Sequence, residues 1–397
     1  MKLNHITIRA IIFLVCLFYI GAETLPVVVG SVGNMFKYRW FNAGVAAEWI
    51  DTGYRNMLGF EKYGLQNKGF YINLHGLMAR AMGQRYINEV VKLDSGHLTE
   101  EAEREDIAFA ALQLTKMCEM QKEKGKDFLF VLTPNQLSED ETDMPPGYSN
   151  YSNGNADELL SILRKSNVPV LDLREEMRKD GISQTEAFFI TDHHWRPETG
   201  LWAYTKIIDG LIKTGAAPAV TSSSFDIDNY NIKVFQDIFL GSFGRRTGLF
   251  FAGVDDFSLL TPKFTTDISV YTPYSGEIDM RGDFTDININ RGRIIRDFFN
   301  ADPYTAYGHS EKGIVSYRNE GAPADLKVLS IGDSFSHVTY IYLPFIFSTC
   351  DQIDMRYAQG DFHEYLLGYD PDLLIIMVNP SQVMKENTTY DFFNEYQ

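Results

Sequence analysis

At 397 residues the chain is long enough for one large domain or two ordinary ones. A composition of 45% hydrophobic and 14% aromatic residues supplies a sizeable core and excludes wholesale disorder. With 53 acidic against 36 basic residues, the net charge of −17 argues against a nucleic-acid backbone or a broad anionic lipid surface as partner; a sparsely charged partner such as a glycan suits it better.

Lys2, His5 and Arg9 precede an apolar run from Ala10 to Ala22, short for a bilayer-spanning helix and typical of a signal-peptide core. Glu23 interrupts and "LPVVVG" resumes, so residues 1–30 read either as a cleaved signal peptide or as an N-terminal membrane anchor. Either reading predicts export, with residues 31–397 as one extracytoplasmic domain. Cys16, Cys118 and Cys350 give no disulfide framework; the last two read as buried apolar thiols, and a 118–350 bridge has no support in the sequence. No metal-type Cys/His spacing is present.

Residues 41–85 hold mixed helical stretches, and "YINEVVKLDSGHL" reads as a short hairpin turning at Asp94-Ser95-Gly96. Residues 99–125 read as a helix capped by Thr99, with Glu100, Glu101 and Glu103 in its first turn and Gly125 at its end. Then strand-like runs alternate with helices. "DFLFVLTP" (127–134), "VPVLDL" (168–173) and "AFFITD" (187–192) read as buried strands. "NADELLSILRKS" (155–166), "REEMRKDG" and a helix opened by Pro197 lie between or after them. Residues 221–325 differ, with short alternating runs such as "DISVYT", and read as a β-rich insertion or subdomain. Beyond it "LKVLSIGDSF" (326–335), "QIDMRYAQG" (352–360), "FHEYLLGY" and "PDLLIIMVNP" (371–380) restore the first pattern. Apolar runs separated by helices predict an α/β fold, a parallel sheet flanked by helices and built from both halves around the insertion.

Ser334 ends a buried strand and opens a helix, a position where its own N–H and the helix N-terminus can face an oxyanion. The competing reading of Gly332-Asp333-Ser334 is a turn and helix cap. A serine nucleophile needs a base. If Asp192 and His194 lie in an extended segment they share a face, so the aspartate can orient the imidazole while the other nitrogen faces the serine. His193 should point the other way and be dispensable for proton transfer. Two further readings of residues 192–195 stand beside this one: a metal site, although successive residues rarely converge on one ion, and a capped helix start without chemistry. Gly360 and Asn379, each ending a strand, are candidate oxyanion donors. Arg245 and Arg246 offer substrate contacts or are exposed structural arginines.

The "GDSF" element, with the later strand–Gly and strand–Asn elements, resembles the SGNH hydrolase pattern. An Asp-x-His-Trp element placed before the serine resembles the AlgJ/AlgX type of polysaccharide O-acetyltransferase and the related DHHW proteins. The resemblance extends through "LDSGHL", "KDFLFVLTPNQ", "VPVLDLREEM", "FFITDHHWRPETG", "FLGSFGRRTG", "VLSIGDSFS", "IDMRYAQG" and "PDLLIIMVN". It implies an SGNH-hydrolase-like (flavodoxin-like) fold, with Ser334 as nucleophile, His194 as general base and acid, Asp192 as orienting carboxylate, and Gly360 and Asn379 as oxyanion donors. Met377 departs from the usual glycine two residues before that asparagine. The implied activity is O-acetyl transfer to a cell-surface polysaccharide without a cofactor or metal, served by a membrane-bound O-acyltransferase. A carbohydrate acetylesterase with the same triad and a non-catalytic accessory protein of a polysaccharide machine are the alternatives.

Overall fold

Asp127–Leu132 sets the plan of the molecule. Phe128, Phe130 and Leu132 enter one apolar cluster and Leu129 and Val131 another, so this strand is covered on both faces. The computed structural model describes Phe18 and residues 68–139, 143–271, 278–309, 313–354, 362–382 and 391–393. From Asn73 onward they belong to one unit. The apolar run at 10–22 and Gly360 lie outside the described residues, so neither the signal-or-anchor expectation nor the Gly360 assignment has a structural counterpart. Among the described residues no helix is long and apolar enough to cross a membrane.

Helix α1 (Lys68–Ala81) precedes a small antiparallel sheet of β1 (Tyr86–Ile87), β2 (Val90–Lys92) and β3 (Leu98–Thr99). Next come α2 (Ala108–Glu123), β4 (Asp127–Leu132), α3 (Ser152–Lys165), β5 (Val170–Asp172), α4 (Leu173–Asp180), α5 (Gln184–Ala187) and α6 (Pro197–Thr214). The central region supplies β6 (Tyr230–Phe239), α7 (Ser242–Thr247), α8 (Leu249–Ala252), β7 (Asp255–Pro262), β8 (Ile268–Tyr271), β9 (Ile278–Gly282) and α9 (Phe284–Asn288). The chain closes with β10 (Ile314–Arg318), β11 (Ala324–Gly332), β12 (Phe347–Asp354), α10 (Phe362–Gly368) and β13 (Leu373–Val378).

Eight strands form one sheet in the order β5-β4-β13-β11-β12-β10-β8-β9. The first five are mutually parallel and the last three antiparallel. Helices α2 and α3 pack on one face, while α4, α6 and the 3-10 turns of Tyr340–Phe345 pack on the other. The chain steps outward from β4 to β5 and, in the opposite direction, from β11 to β12. Strand β13 lies between β4 and β11, so the crevice at their carboxyl ends is where this class of sheet binds ligands.

The fold is the expected α/β arrangement of a largely parallel sheet with helices on both faces, and three local expectations change, while the two cysteines stay free thiols as expected. Residues 221–325 are no separate subdomain: β8, β9 and β10 extend the main sheet, and Ile268, Val270, Val315 and Tyr317 join its core. "AFFITD" is not a strand. Residues 184–187 are helical, and 188–195 form a tight loop closed by a bridge between Phe188 and Trp195. Helix α2 starts at Ala108, not after Thr99, because Asn150 and Asn155 hold the Glu100 and Glu103 carbonyls in an extended segment. Cys118 and Cys350 are both free and belong to clusters on opposite faces of the sheet, which rules out a bridge between them.

Candidate active site

Asp192 is 1% exposed, and the loop around it is tied down from three elements. From the end of β4, Gln136 Nε2 donates to the carbonyls of Phe189 (2.6 Å) and Asp192 (3.0 Å). From β7, the Asp255 carboxylate accepts the N–H groups of Ile190 and Thr191 and the Thr191 hydroxyl. From the turn after β6, Gly241 N–H donates to Thr191 Oγ1 and Ser242 N–H to Asp192 Oδ2. A Cβ on Gly241 would lie 2.1 Å from the Asp192 Cβ, so only glycine allows this approach. A register break in β6, with Asp237 in the left-handed region (φ 49°), precedes the turn.

His194 Nδ1 lies 2.5 Å from Asp192 Oδ1, and the same oxygen accepts the His194 backbone N–H at 3.0 Å. The pair therefore comes from a tight side-chain-to-backbone turn, not from two positions on one strand face. Burial alone would push the Asp192 carboxyl up; the neighbouring His193 and His194, with the hydrogen bonds from His194 and Ser242, outweigh it and hold the group well below the usual carboxylate range. An anionic Asp192 accepts a hydrogen bond from Nδ1–H, which fixes that tautomer and leaves Nε2 as the basic nitrogen. That Nε2 is buried and has no hydrogen-bond partner among the described residues.

The imidazole is held from both sides. It stacks on Tyr304 (centroids 4.1 Å apart, planes at 16°) and lies 5.1 Å from the Phe335 ring. Trp195, fully buried, donates its indole N–H to the Phe335 carbonyl at 3.1 Å. Thr339 Oγ1 donates to the Gly200 carbonyl, and a Cβ on Gly200 would come within 2.5 Å of Val338. These contacts lay the 192–195 loop and α6 directly against the turn that carries Ser334.

Ser334 follows β11 and opens 3-10 turns over Ser334–Val338, not the α-helix expected from sequence. Asp333 caps them: its Oδ1 accepts Phe335 N–H and its Oδ2 accepts Asn379 N–H, both at 2.9 Å. Ser334 is 8% exposed, and no hydrogen bond joins its Oγ to His194 Nε2. Two of the three expected partners, Asp192 and His194, are thus in contact, with Ser334 on the adjoining turn.

The remaining expectations fare differently. His193 does not point away: its ring packs 3.8 Å from that of His194, and its Nδ1 lies 2.8 Å from Ser242 Oγ. The Asn379 amide donates both protons inward, to Thr133 Oγ1 and the Pro134 carbonyl, while its Oδ1 accepts Ser381 N–H. Because Pro134 O can only accept and Ser381 N can only donate, the amide cannot be turned round, and it has no proton left for an oxyanion. Arg245 reaches the Leu240 and Ala301 carbonyls and Asp302; Arg246 binds the Asn88 carbonyl, Glu89 and Glu100. Both arginines are struts of the fold, although Arg246 also borders a cleft beside His193.

Donor atoms of Asp192, His193 and His194 lie within 4.8 Å of one another, a spacing open to a metal ion. Their hydrogen bonds already assign both Asp192 oxygens, His193 Nδ1 and His194 Nδ1, which fits an acid–base pair better. Gln136, Gly241, Asp255 and Tyr304 escaped sequence reasoning. Only Gln136 left a signal there, as a polar residue just past an apolar strand. A larger cavity of about 730 Å³, bordered by Met280, Asp286, Arg291 and Thr305, has none of these residues in its lining.

Residues 93–227 match the family model of the SGNH hydrolase-like domain, acetyltransferase AlgX, a segment that includes Asp192 and His194 but not Ser334. No curated protein sequence matches the chain. Among solved structures, PatB1 of Bacillus cereus is 18% identical over 76% of this chain and 99% of its own, with a TM-score of 0.60. A DHHW family protein from Eubacterium siraeum is 15% identical over 78% of this chain and 96% of its own, with a TM-score of 0.56. At these identities the two structures establish a shared fold. With the matched segment, they bear out the resemblance to SGNH-like acetyltransferases and DHHW proteins.

Proposed function

We propose that the chain is an O-acetyltransferase that modifies an extracytoplasmic polysaccharide through an acetyl-Ser334 intermediate. The observation carrying this reading is the Asp192–His194 pair, with a buried, unpartnered Nε2, pressed by Trp195 against the turn that bears Ser334. The acetyltransferase segment matched at 93–227 supports the choice of acyl group.

In this mechanism His194 Nε2 takes the Ser334 hydroxyl proton as Oγ attacks the acetyl carbonyl. The imidazolium, stabilised by Asp192, then protonates the departing donor oxygen. In the second half a sugar hydroxyl gives its proton to Nε2 and attacks the acetyl carbon, and Ser334 leaves with that proton returned. The missing Ser334–His194 hydrogen bond is of the kind that closes only when substrate is bound. The Ser334 N–H stands at the start of its turn and serves as one oxyanion donor, with Gly360 N–H proposed as the second. Export by the N-terminal segment and delivery of acetyl groups by a membrane-bound O-acyltransferase complete the proposal.

The test offers the purified protein a chromogenic acetyl ester with and without oligosaccharide acceptors and looks for acetyl-Ser334 by mass spectrometry. We expect a Ser334-bound acetyl group and transfer to sugar, both lost in Ser334→Ala. Turnover that survives Ser334→Ala, or no acyl-enzyme under any condition, would refute the enzyme reading. Release of acetate with no transfer to any glycan would replace the transferase with an esterase.

A further inference from the structure

Two amides at the end of β4 have hydrogen-bonding capacity that the fold leaves unused. Asn135 is 7% exposed and Gln136 4%. Asn135 Oδ1 accepts the Gln136 N–H at 2.7 Å, which fixes the amide and sends Nδ2 the other way, where it is buried without a partner. Gln136 Nε2 is fixed by the Phe189 and Asp192 carbonyls, which can only accept, so Oε1 is the oxygen left buried without a partner. Buried polar groups are rarely left unpaired unless a ligand or water completes them. Both residues line a cleft of about 170 Å³, together with Asn150, His193, Ser242 and Ser381.

We propose that this cleft seats the acyl-accepting sugar, with Asn135 donating to it and Gln136 accepting from it. This rests on the acyl-transfer reading above and adds the subsite to it. A free N–H next to a free carbonyl oxygen suits a neutral group that both accepts and donates. A sugar hydroxyl does so, and so does the amide of an N-acetylated sugar. The His193 ring forms part of the wall and packs 3.8 Å from His194, which brings the sugar's hydroxyls beside the general base. Gln136 has two duties, because its other end holds the Asp192 loop. In Asn135 the oxygen holds the Gln136 N–H while Nδ2 has no second role, so a change confined to Nδ2 isolates the binding function.

Chitotriose and cellotriose, which present N-acetyl amides or hydroxyls alone, are titrated by calorimetry into the full chain carrying Ser334→Ala, so that no acyl chemistry intervenes. Saturable binding is expected for at least one of them, weakened about tenfold or more by Asn135→Ala. The near-isosteric Asn135→Asp keeps the oxygen that accepts Gln136 N–H, loses the donor, and should weaken binding similarly at an unchanged Tm. Binding of chitotriose alone identifies the amide; binding of both identifies a hydroxyl. Affinity within twofold of the parent in variants that keep their Tm, or no saturable binding of either sugar, overturns the proposal. Acetyl-Ser334 in the wild type without sugar binding would discard the cleft and keep the acyl-transfer reading. Sugar binding through Asn135 without acetyl-Ser334 would do the reverse.

Discussion

Gly241 marks the tightest point around the dyad, since any side chain there would overlap Asp192. Gly241→Ala should destabilise the protein by about 1–3 kcal/mol, the usual cost of overpacking. Its activity loss should exceed what that destabilisation explains, because the displaced side chain is the one whose carboxylate orients His194. Thermal melts and Ser334 acylation rates on the same sample measure the two effects. A variant that melts early but acylates at the parental rate would show that Asp192 tolerates the shift. Trp195→Phe is the complementary change: it keeps the aromatic ring and removes the N–H that holds the Phe335 carbonyl. We expect about 1 kcal/mol of lost stability, with a larger fractional loss in acylation rate than in chain stability. An acylation rate equal to the parent's would remove Trp195 from the positioning of the Ser334 turn.

The parallel strands and their helices were readable because each buries its own apolar run, so burial and secondary structure carry the same signal. The "AFFITD" segment also buries Phe188 and Phe189, but as a loop fastened by the Gln136 and Asp255 side chains and the Gly241 backbone N–H. Apolarity cannot tell these two cases apart. The identity of the dyad was legible because both partners lie in one short segment. The commitment of the Asn379 amide and the stacking of Tyr304 on His194 were not, because both depend on residues distant in sequence. Beneath that loop, Leu98 N–H of β3 donates to Ile190 O, and the adjacent His97 is buried. Burial pushes the His97 imidazole below its ordinary value, although Asp255 partly opposes this. The unfolded chain takes up a proton near pH 6.5 and the folded chain only at lower pH, so stability falls as the pH drops below about 6.5 and levels off beneath the folded pKa. His97→Leu should flatten that limb of the curve of Tm against pH between 7 and 5. An unchanged slope would mean that other groups carry it.

At the scale of the whole molecule, the segment that matches the acetyltransferase model, residues 93–227, is not a self-sufficient piece of the fold. It contains β4 and β5 but lacks β13 and β11, which lie next in the sheet. All six residues of β4 pair with β13, whereas only three pair with β5. Without β13 the central strand would expose its open edge, and both apolar clusters, which draw on residues from each half, would be cut through. The dyad would lose partners as well: Ser242 N–H, Asp255 and Tyr304 all lie beyond residue 227. We therefore expect the isolated 93–227 fragment to melt without a cooperative transition, to bind a dye specific for exposed apolar surface, and to lack the near-ultraviolet dichroism of the full chain. A sharp, reversible melt with native-like dichroism would show that the parallel half folds alone and that the antiparallel extension only decorates it. The sheet order predicts the opposite, because within the sheet the strand that leads to Ser334 and the strand that leads to Gln136 are joined through β13. Folding and assembly of the site are then coupled, because both depend on the pairing of β13 with its two neighbours.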